Sequence, residues 1–281
     1  MVRSFTCRVP VTGCRSTKTV SRITVLRGIS RLAIVPALMT RPNRNCRLSA
    51  AVSRFTFAVC RSTVLVLSTL ASFAQEGSKK IDSNYNNAYY QGRMELFNTL
   101  TPPKNAIVFL GNSISERGAW SELLPGQPVM NRGIGGDNTF GVLARLEGVV
   151  KAKPKKIFLL IGINDLSRGL PKEVIINNYH RIIRYLTAFT PKTKIYLQSV
   201  LPLNEPMTTP AYLKNKKDSI LQLNRGIKQV AEQYHLPYIN LHDIFADANG
   251  DLKKELTMDG IHLRPAAYVL WVDFLKKKNY L

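Results

Sequence analysis

Four short polar segments in this chain of 281 residues carry side chains able to move protons or bind an anion. The first is Gly111-Asn112-Ser113-Ile114-Ser115, directly after the apolar run Ala106 to Leu110. A serine at the carboxyl end of a buried strand, preceded by a permissive glycine, presents its hydroxyl in a cleft and can serve as a nucleophile. The same serine can equally cap a short helix beginning near Ile114. Position 115 is Ser, so the segment lacks the G-x-S-x-G pattern of a nucleophile elbow. The second is Asn131-Arg132-Gly133-Ile134-Gly135-Gly136-Asp137, whose glycines allow a tight turn with amide N–H groups aimed at an anion, either phosphate or a transient oxyanion. Its spacing fits neither G-x-G-x-x-G nor a P-loop, and a purely structural turn remains open. The third, Gly162-Ile163-Asn164-Asp165, offers the Asn164 amide as a neutral donor to a developing oxyanion, or as an ordinary cap or Asx turn. The fourth, Asp259-Gly260-Ile261-His262, sets a carboxylate and an imidazole three residues apart on a turn. There the carboxylate can hold one ring nitrogen while the other faces a nucleophile. Of the remaining histidines, His180 falls in a helix, His235 in a loop, and His242 on an extended segment whose neighbour Asp243 should point away from it.

The elements that must position these segments follow from hydrophobic patterning. Strands are expected at Ala106 to Leu110, Pro128 to Asn131, Lys156 to Ile161, Lys194 to Ser199 and Pro237 to Asn240. Near-continuous apolar runs such as IVFL and IFLLI indicate strands buried on both faces, as in parallel sheets. Between them, Val142, Leu143, Leu146, Val149 and Val150 recur at helical spacing, as do Ile175, Tyr179, Ile182, Ile183 and Leu186. Ile220, Leu223, Ile227, Val230 and Tyr234 repeat the pattern, Pro265 opens a last helix, and a helix is expected around Tyr85 to Leu100. Alternating β and α units predict one three-layer α/β/α domain, flavodoxin-like, on a five-stranded parallel sheet. Ligands of such sheets bind beyond the carboxyl ends of the strands, where the first three segments fall.

The formal net charge of +22 raises nucleic acid or an anionic membrane as partner, but its distribution argues otherwise. Twelve basic residues and no acid precede Glu76, whereas the remainder carries 28 basic and 18 acidic residues spread over helix faces. No basic stripe interleaved with aromatics appears, so a nucleic-acid partner is not expected. All four cysteines, Cys7, Cys14, Cys46 and Cys60, lie in the same leader at spacings that match no zinc pattern, and no metal is expected. From Arg61, a basic residue, an apolar run and small residues at Ser72 and Ala74 form a signal-peptide layout. The run is shorter than the roughly 20 residues of a membrane span, and no cysteine follows it, so no stable membrane anchor is expected. Residues 1–74 are thus read as a leader with a start assigned too early, residues 75–104 as linker and N-terminal helix, and 105–281 as the folded domain. Export to a periplasmic or extracellular space is expected; an organellar transit peptide is the alternative, given an Arg-rich, Ser-rich, acid-free segment. Nothing in the sequence sets an oligomeric state.

Taken together and in this order, the four segments resemble the SGNH hydrolases, the GDSL-like lipase and acylhydrolase superfamily, over Ala106 to Leu281. The resemblance implies that Ser113 is the nucleophile, that its N–H, the Gly136 N–H and the Asn164 side chain form an oxyanion hole, and that Asp259 and His262 complete the triad. The stretch NRGIGGDNT, followed by PKKIFLLIGIND, looks most like the branch of platelet-activating-factor acetylhydrolase catalytic subunits and bacterial carbohydrate O-acetylesterases. It implies hydrolysis of short acyl esters, acetyl above all, on a small-molecule or glycan substrate and without metal or organic cofactor. Phospholipid-type acetyl esters and a catalytically silent carbohydrate-binding relative are the alternatives. One departure is Gly-Asn-Ser-Ile where the family usually reads Gly-Asp-Ser-Leu, so that Asn112 replaces an acid beside the nucleophile.

Overall fold

The computed structural model describes residues 81–281. The leader, its four cysteines and the export layout between Arg61 and Gln75 lie outside the described residues. Helix α1 (Ala88–Thr99) is capped by Asn87, whose side chain accepts from the Tyr90 N–H. It is shorter at its start than the expected Tyr85 to Leu100. Strand β1 (Ile107–Gly111) leads into two single-turn helices, α2 (Ser113–Glu116) and α3 (Trp120–Leu123), and then strand β2 (Val129–Gly133). Helices α4 (Thr139–Ala144) and α5 (Leu146–Lys151) precede β3 (Lys156–Leu160). Next come α6 (Ile163–Ser167), the long α7 (Lys172–Phe189) and β4 (Lys194–Gln198). Helix α8 (Lys217–Gln233), β5 (Tyr238–Ile239), α9 (His242–Phe245) and α10 (Pro265–Lys277) complete the order.

All five strands are parallel, in the order β2-β1-β3-β4-β5. Strand β1 therefore lies between β2 and β3, with Gly111 paired to Gly133 on one side and Leu160 on the other. Successive side chains of a strand face opposite layers, which explains the continuous apolar runs. Val108, Leu110, Ile157 and Leu159 face Val142, Leu146, Ile175, Tyr179, Ile182 and Ile227, so α4, α5, α7 and α8 cover one side. Ile107, Phe109, Phe158 and Leu160 face Trp120, Tyr268, Trp271 and Leu275, so α3 and α10 cover the other. On that second side Phe109 stacks on Trp120 with ring centroids 3.6 Å apart, and Trp271 meets Trp120 edge-on. The expected three-layer α/β/α architecture is the one observed.

Two local expectations change. The apolar repeat from Val142 to Val150 predicts one helix, yet the chain breaks at Arg145, with φ −113° and ψ 10°. The Arg145 side chain turns inward to ion-pair with Asp137, and the backbone leaves the helix to allow it. His242 begins a helix rather than an extended segment, so its Nδ1 lies 3.4 Å from Asp243 Oδ1 instead of pointing away. Burial lowers the imidazole's affinity for a proton in spite of that carboxylate. Among the described residues no helix is long and apolar enough to cross a membrane.

Candidate active site

Strands β1, β2 and β3 end side by side, and each hands its chain to one of the polar segments. At the end of β1, Ser113 is the first residue of α2 and half-buried. It does not cap the helix. Asn112 does, its Oδ1 accepting the Ile114 N–H at 3.0 Å. An amide oxygen performs this task as a carboxylate oxygen would, so Asn112 keeps the cap in place of the usual acid. Its Nδ2 is buried without a hydrogen-bond partner among the described residues. With the cap assigned to Asn112, the Ser113 hydroxyl is left for other use: it meets His262 Nε2 at 3.0 Å across 149 residues of sequence.

His262 is held by a loop that is largely its own scaffold. Asp259 Oδ2 lies 2.6 Å from His262 Nδ1, and Asp259 Oδ1 accepts the backbone N–H groups of Ile261 at 3.0 Å and His262 at 2.8 Å. Burial works against ionisation of Asp259, but the His262 ring and these two N–H groups outweigh it and hold the carboxyl below its ordinary value. With Nδ1–H donated to a carboxylate, Nε2 presents its lone pair to Ser113. Thr257 Oγ1 closes the loop, accepting from the Gly260 N–H at 2.9 Å and donating to the His262 carbonyl at 2.9 Å. Gly260 adopts φ +86°, and a Cβ there would stand 2.6 Å from the Asn204 carbonyl, so conformation and space both require glycine. The Gly260 carbonyl in turn accepts the Asn204 N–H at 2.8 Å.

The segment after β2 forms a tight turn from Ile134 to Asp137, closed by the Asp137 N–H on the Ile134 carbonyl at 3.1 Å. Gly136 holds its third position at φ +75°, as such a turn demands; a Cβ would meet nothing within 4 Å, so conformation alone selects glycine. After β3, Asn164 lies inside α6 rather than capping it, and its Nδ2 donates to the Asp137 carbonyl at 2.7 Å. One amide hydrogen therefore ties Asn164 to the Gly136 turn while the other remains for a ligand.

Beneath these groups lies a polar layer that sequence patterning does not reveal. Arg145 donates to Asp137 Oδ2 through Nε at 3.0 Å and Nη2 at 2.8 Å, to the Gly111 carbonyl at 2.9 Å and to the Arg132 carbonyl at 2.8 Å. With both side chains at most 1% exposed, this pair joins the ends of β1 and β2 to the glycine turn. Asp165 accepts the Thr139 hydroxyl at 2.6 Å and its N–H at 3.1 Å, and Asn178 donates to the same hydroxyl at 2.8 Å. Burial pushes the Asp165 carboxyl up to about 6 against these hydrogen bonds. The one sequence signal for Arg145 is a charge set within an apolar helical repeat. Among the described residues no three His, Cys, Asp or Glu side chains cluster as a metal site would require.

Residues 109–270 match the model of the GDSL-like Lipase/Acylhydrolase family. The platelet-activating factor acetylhydrolase IB subunit alpha2 of Gallus gallus is 29% identical over 171 residues, covering 58% of this chain and 70% of that protein. A solved protein of Streptococcus pneumonia, named for platelet activating factor, superposes with TM-score 0.61 at 30% identity, covering 76% of this chain and 98% of its own. A GDSL-like lipase of Bacteroides thetaiotaomicron shares the fold at TM-score 0.59 and 24% identity, over 68% of this chain and 98% of its own. A strand-end serine faced by a loop-borne imidazole, on a chain whose larger part fits one family, leads to one conclusion: the chain belongs to the GDSL-like lipase/acylhydrolase family and is a carboxylic ester hydrolase.

Proposed function

We propose that this hydrolase cleaves short-chain esters, acetyl esters of carbohydrates first among them, with Ser113 as nucleophile, His262 as base and Asp259 as its orienting partner. The observation that carries the reading is the continuous line from Asp259 Oδ2 through His262 to Ser113 Oγ, with contacts of 2.6 and 3.0 Å. His262 Nε2 takes the Ser113 proton as Oγ attacks the ester carbonyl, and then returns it to the departing alcohol. Water next attacks the acyl-enzyme, giving its proton to His262; the acid leaves and Ser113 recovers its hydrogen. In both steps the Ser113 and Gly136 N–H groups and the Asn164 amide receive the negative charge on the carbonyl oxygen. No residue of this scheme calls for a metal or organic cofactor.

Acetyl specificity on sugars is supported by the segment between β4 and α8, SVLPLNEPMTTPAYLKNK, whose Val200, Leu201 and Leu203 are buried in the core and whose remainder provides no long apolar cover for a fatty chain. Export, read from the layout between Arg61 and Gln75, would bring such an enzyme to extracellular glycans. A phospholipid-type acetyl ester is the second reading, favoured by similarity to the platelet-activating factor acetylhydrolase subunits. Acetate release from O-acetylated sugars, short acyl esters and acetylated ether lipids separates the two. The test of the chemistry is p-nitrophenyl acetate hydrolysis by the wild type and Ser113→Ala, where equal rates would sink the serine-esterase reading. Asn164→Ala should lower turnover about 100- to 1,000-fold, and a loss below about tenfold removes it from the oxyanion hole. Sequencing the mature N-terminus checks export: a start near Gln75 supports it and an intact leader contradicts it.

A further inference from the structure

Residues 82–93 precede the segment matched by the family model, yet they grip the glycine turn from outside. Three carbonyls between Gly133 and Gly141 accept side-chain donors. Tyr90 Oη donates to the Gly141 carbonyl at 2.8 Å, and Arg93 Nη2 to the Gly133 carbonyl at 3.3 Å. Between them, Arg168 Nη2 lies 3.5 Å from the Gly136 carbonyl, and Arg168 Nη1 donates to the Asn84 carbonyl. Asn138 Nδ2 reaches the same Asn84 carbonyl at 3.0 Å. Near Gly133, Arg93 Nε lies 3.0 Å from Glu116 Oε1 as an ion pair whose N–H is not aimed along the contact, and Tyr89 Oη donates to that oxygen at 2.6 Å.

Arg168 stands at the centre of this arrangement. It ends α6, and its own N–H donates to the Asn164 carbonyl at 3.2 Å. One residue thus touches the turn bearing Asn164, the peptide that follows Gly136, and the N-terminal strap. The peptide between Gly136 and Asp137 is held at both ends, its carbonyl facing Arg168 and its N–H on Ile134. Holding that plane limits how far the neighbouring Gly136 N–H can swing.

We propose that residues 82–93 form an outer brace of the oxyanion hole and that Arg168 is its positioning residue, setting Gly136 and Asn164 at a fixed separation. The proposal rests on the reading of those two residues as oxyanion donors. A small misplacement of such donors costs rate without costing substrate affinity, because they act on charge that appears only in the transition state.

The test measures kcat, KM and unfolding midpoint for the wild type, Arg168→Met, Arg168→Lys and Asn164→Ala with p-nitrophenyl acetate, together with affinity for a trifluoromethyl ketone that mimics the tetrahedral adduct. Arg168→Met is expected to lose about ten- to a hundredfold in kcat, with KM within about twofold and the midpoint unchanged. Its affinity for the ketone should weaken by the same factor, and Arg168→Lys, which keeps the charge, should recover part of both. Wild-type kcat in Arg168→Met beside an impaired Asn164→Ala overturns the brace and leaves the oxyanion hole standing. Wild-type kcat in Asn164→Ala removes the oxyanion reading, and the brace falls with it. A kcat loss that tracks a lowered midpoint, with ketone affinity intact, overturns the positioning role as well.

Discussion

The two halves of the candidate site are built by opposite means. Ser113, Gly136 and Asn164, the proposed nucleophile and oxyanion donors, follow the ends of three adjacent strands, over a layer in which Asp137, Arg145, Thr139 and Asp165 are all at most 3% exposed. His262 and Asp259, the proposed base and its carboxylate, ride on a surface loop, with the Asp259 side chain 47% exposed, and most of their hydrogen bonds are closed within six residues. The difference teaches that catalytic and structural roles are merged in one half and separable in the other. Charge follows the same division: burial raises the Asp165 carboxyl, whereas for Asp259 local hydrogen bonds outweigh burial and lower it.

The comparison is most exposed at His262. His262→Ala should cut turnover on the order of 10⁶-fold, about 8 kcal/mol of transition-state stabilisation, with little change in the unfolding midpoint. A large loss of stability would erase the distinction between the halves. Arg145→Met should do the reverse, since it leaves Asp137 buried and unpaired. A cost of about 3 to 5 kcal/mol is expected, read in a thermal scan as a fall of roughly 10 °C, with activity lost through the fold. The pH dependence of stability comes next. Asp165, raised to about 6, favours the folded state while protonated; that contribution is complete below about 4 and is lost as pH rises through 6. Asp259 contributes above about 4 and loses its effect as pH falls through its lowered value. Melting curves from pH 4 to 7 should therefore show Asp165→Asn gaining on the wild type by up to about 2 to 3 kcal/mol. Parallel curves would mean that Asp165 is not raised. Asn112→Ala, which removes the α2 cap together with the unpartnered Nδ2, should cost about 1 kcal/mol by denaturant titration.

Much of this was legible in the sequence because its signals are local or periodic. The runs IVFL and IFLLI mark buried parallel strands, and Asp259 and His262 announce each other from three residues apart. Strand β5 is Tyr238–Ile239, shorter than the expected Pro237 to Asn240, and pairs with β4 through two residues. The hidden part is the outer support. Arg145 and Arg168 bind backbone carbonyls, and a carbonyl leaves no trace in residue type. The helix break at Arg145 depends on Asp137, eight positions earlier and in the turn before the helix, where helical periodicity does not extend. Asn112 illustrates the converse, since its placement beside Ser113 was plain but its capping role required coordinates.

The position of β1 between β2 and β3 has a further consequence. Ser113, Gly136 and Asn164 each follow a different one of these strands, and neighbouring strands are spaced about 4.8 Å apart by their backbone hydrogen bonds. That spacing acts as a ruler made of main chain. Side chains along the strands can be exchanged without changing the interval between the three strand ends, which main-chain hydrogen bonds set, and contacts such as Asn164 to the Asp137 carbonyl only refine it. Substrate range is then free to drift in the loops, and the chemistry keeps its gauge.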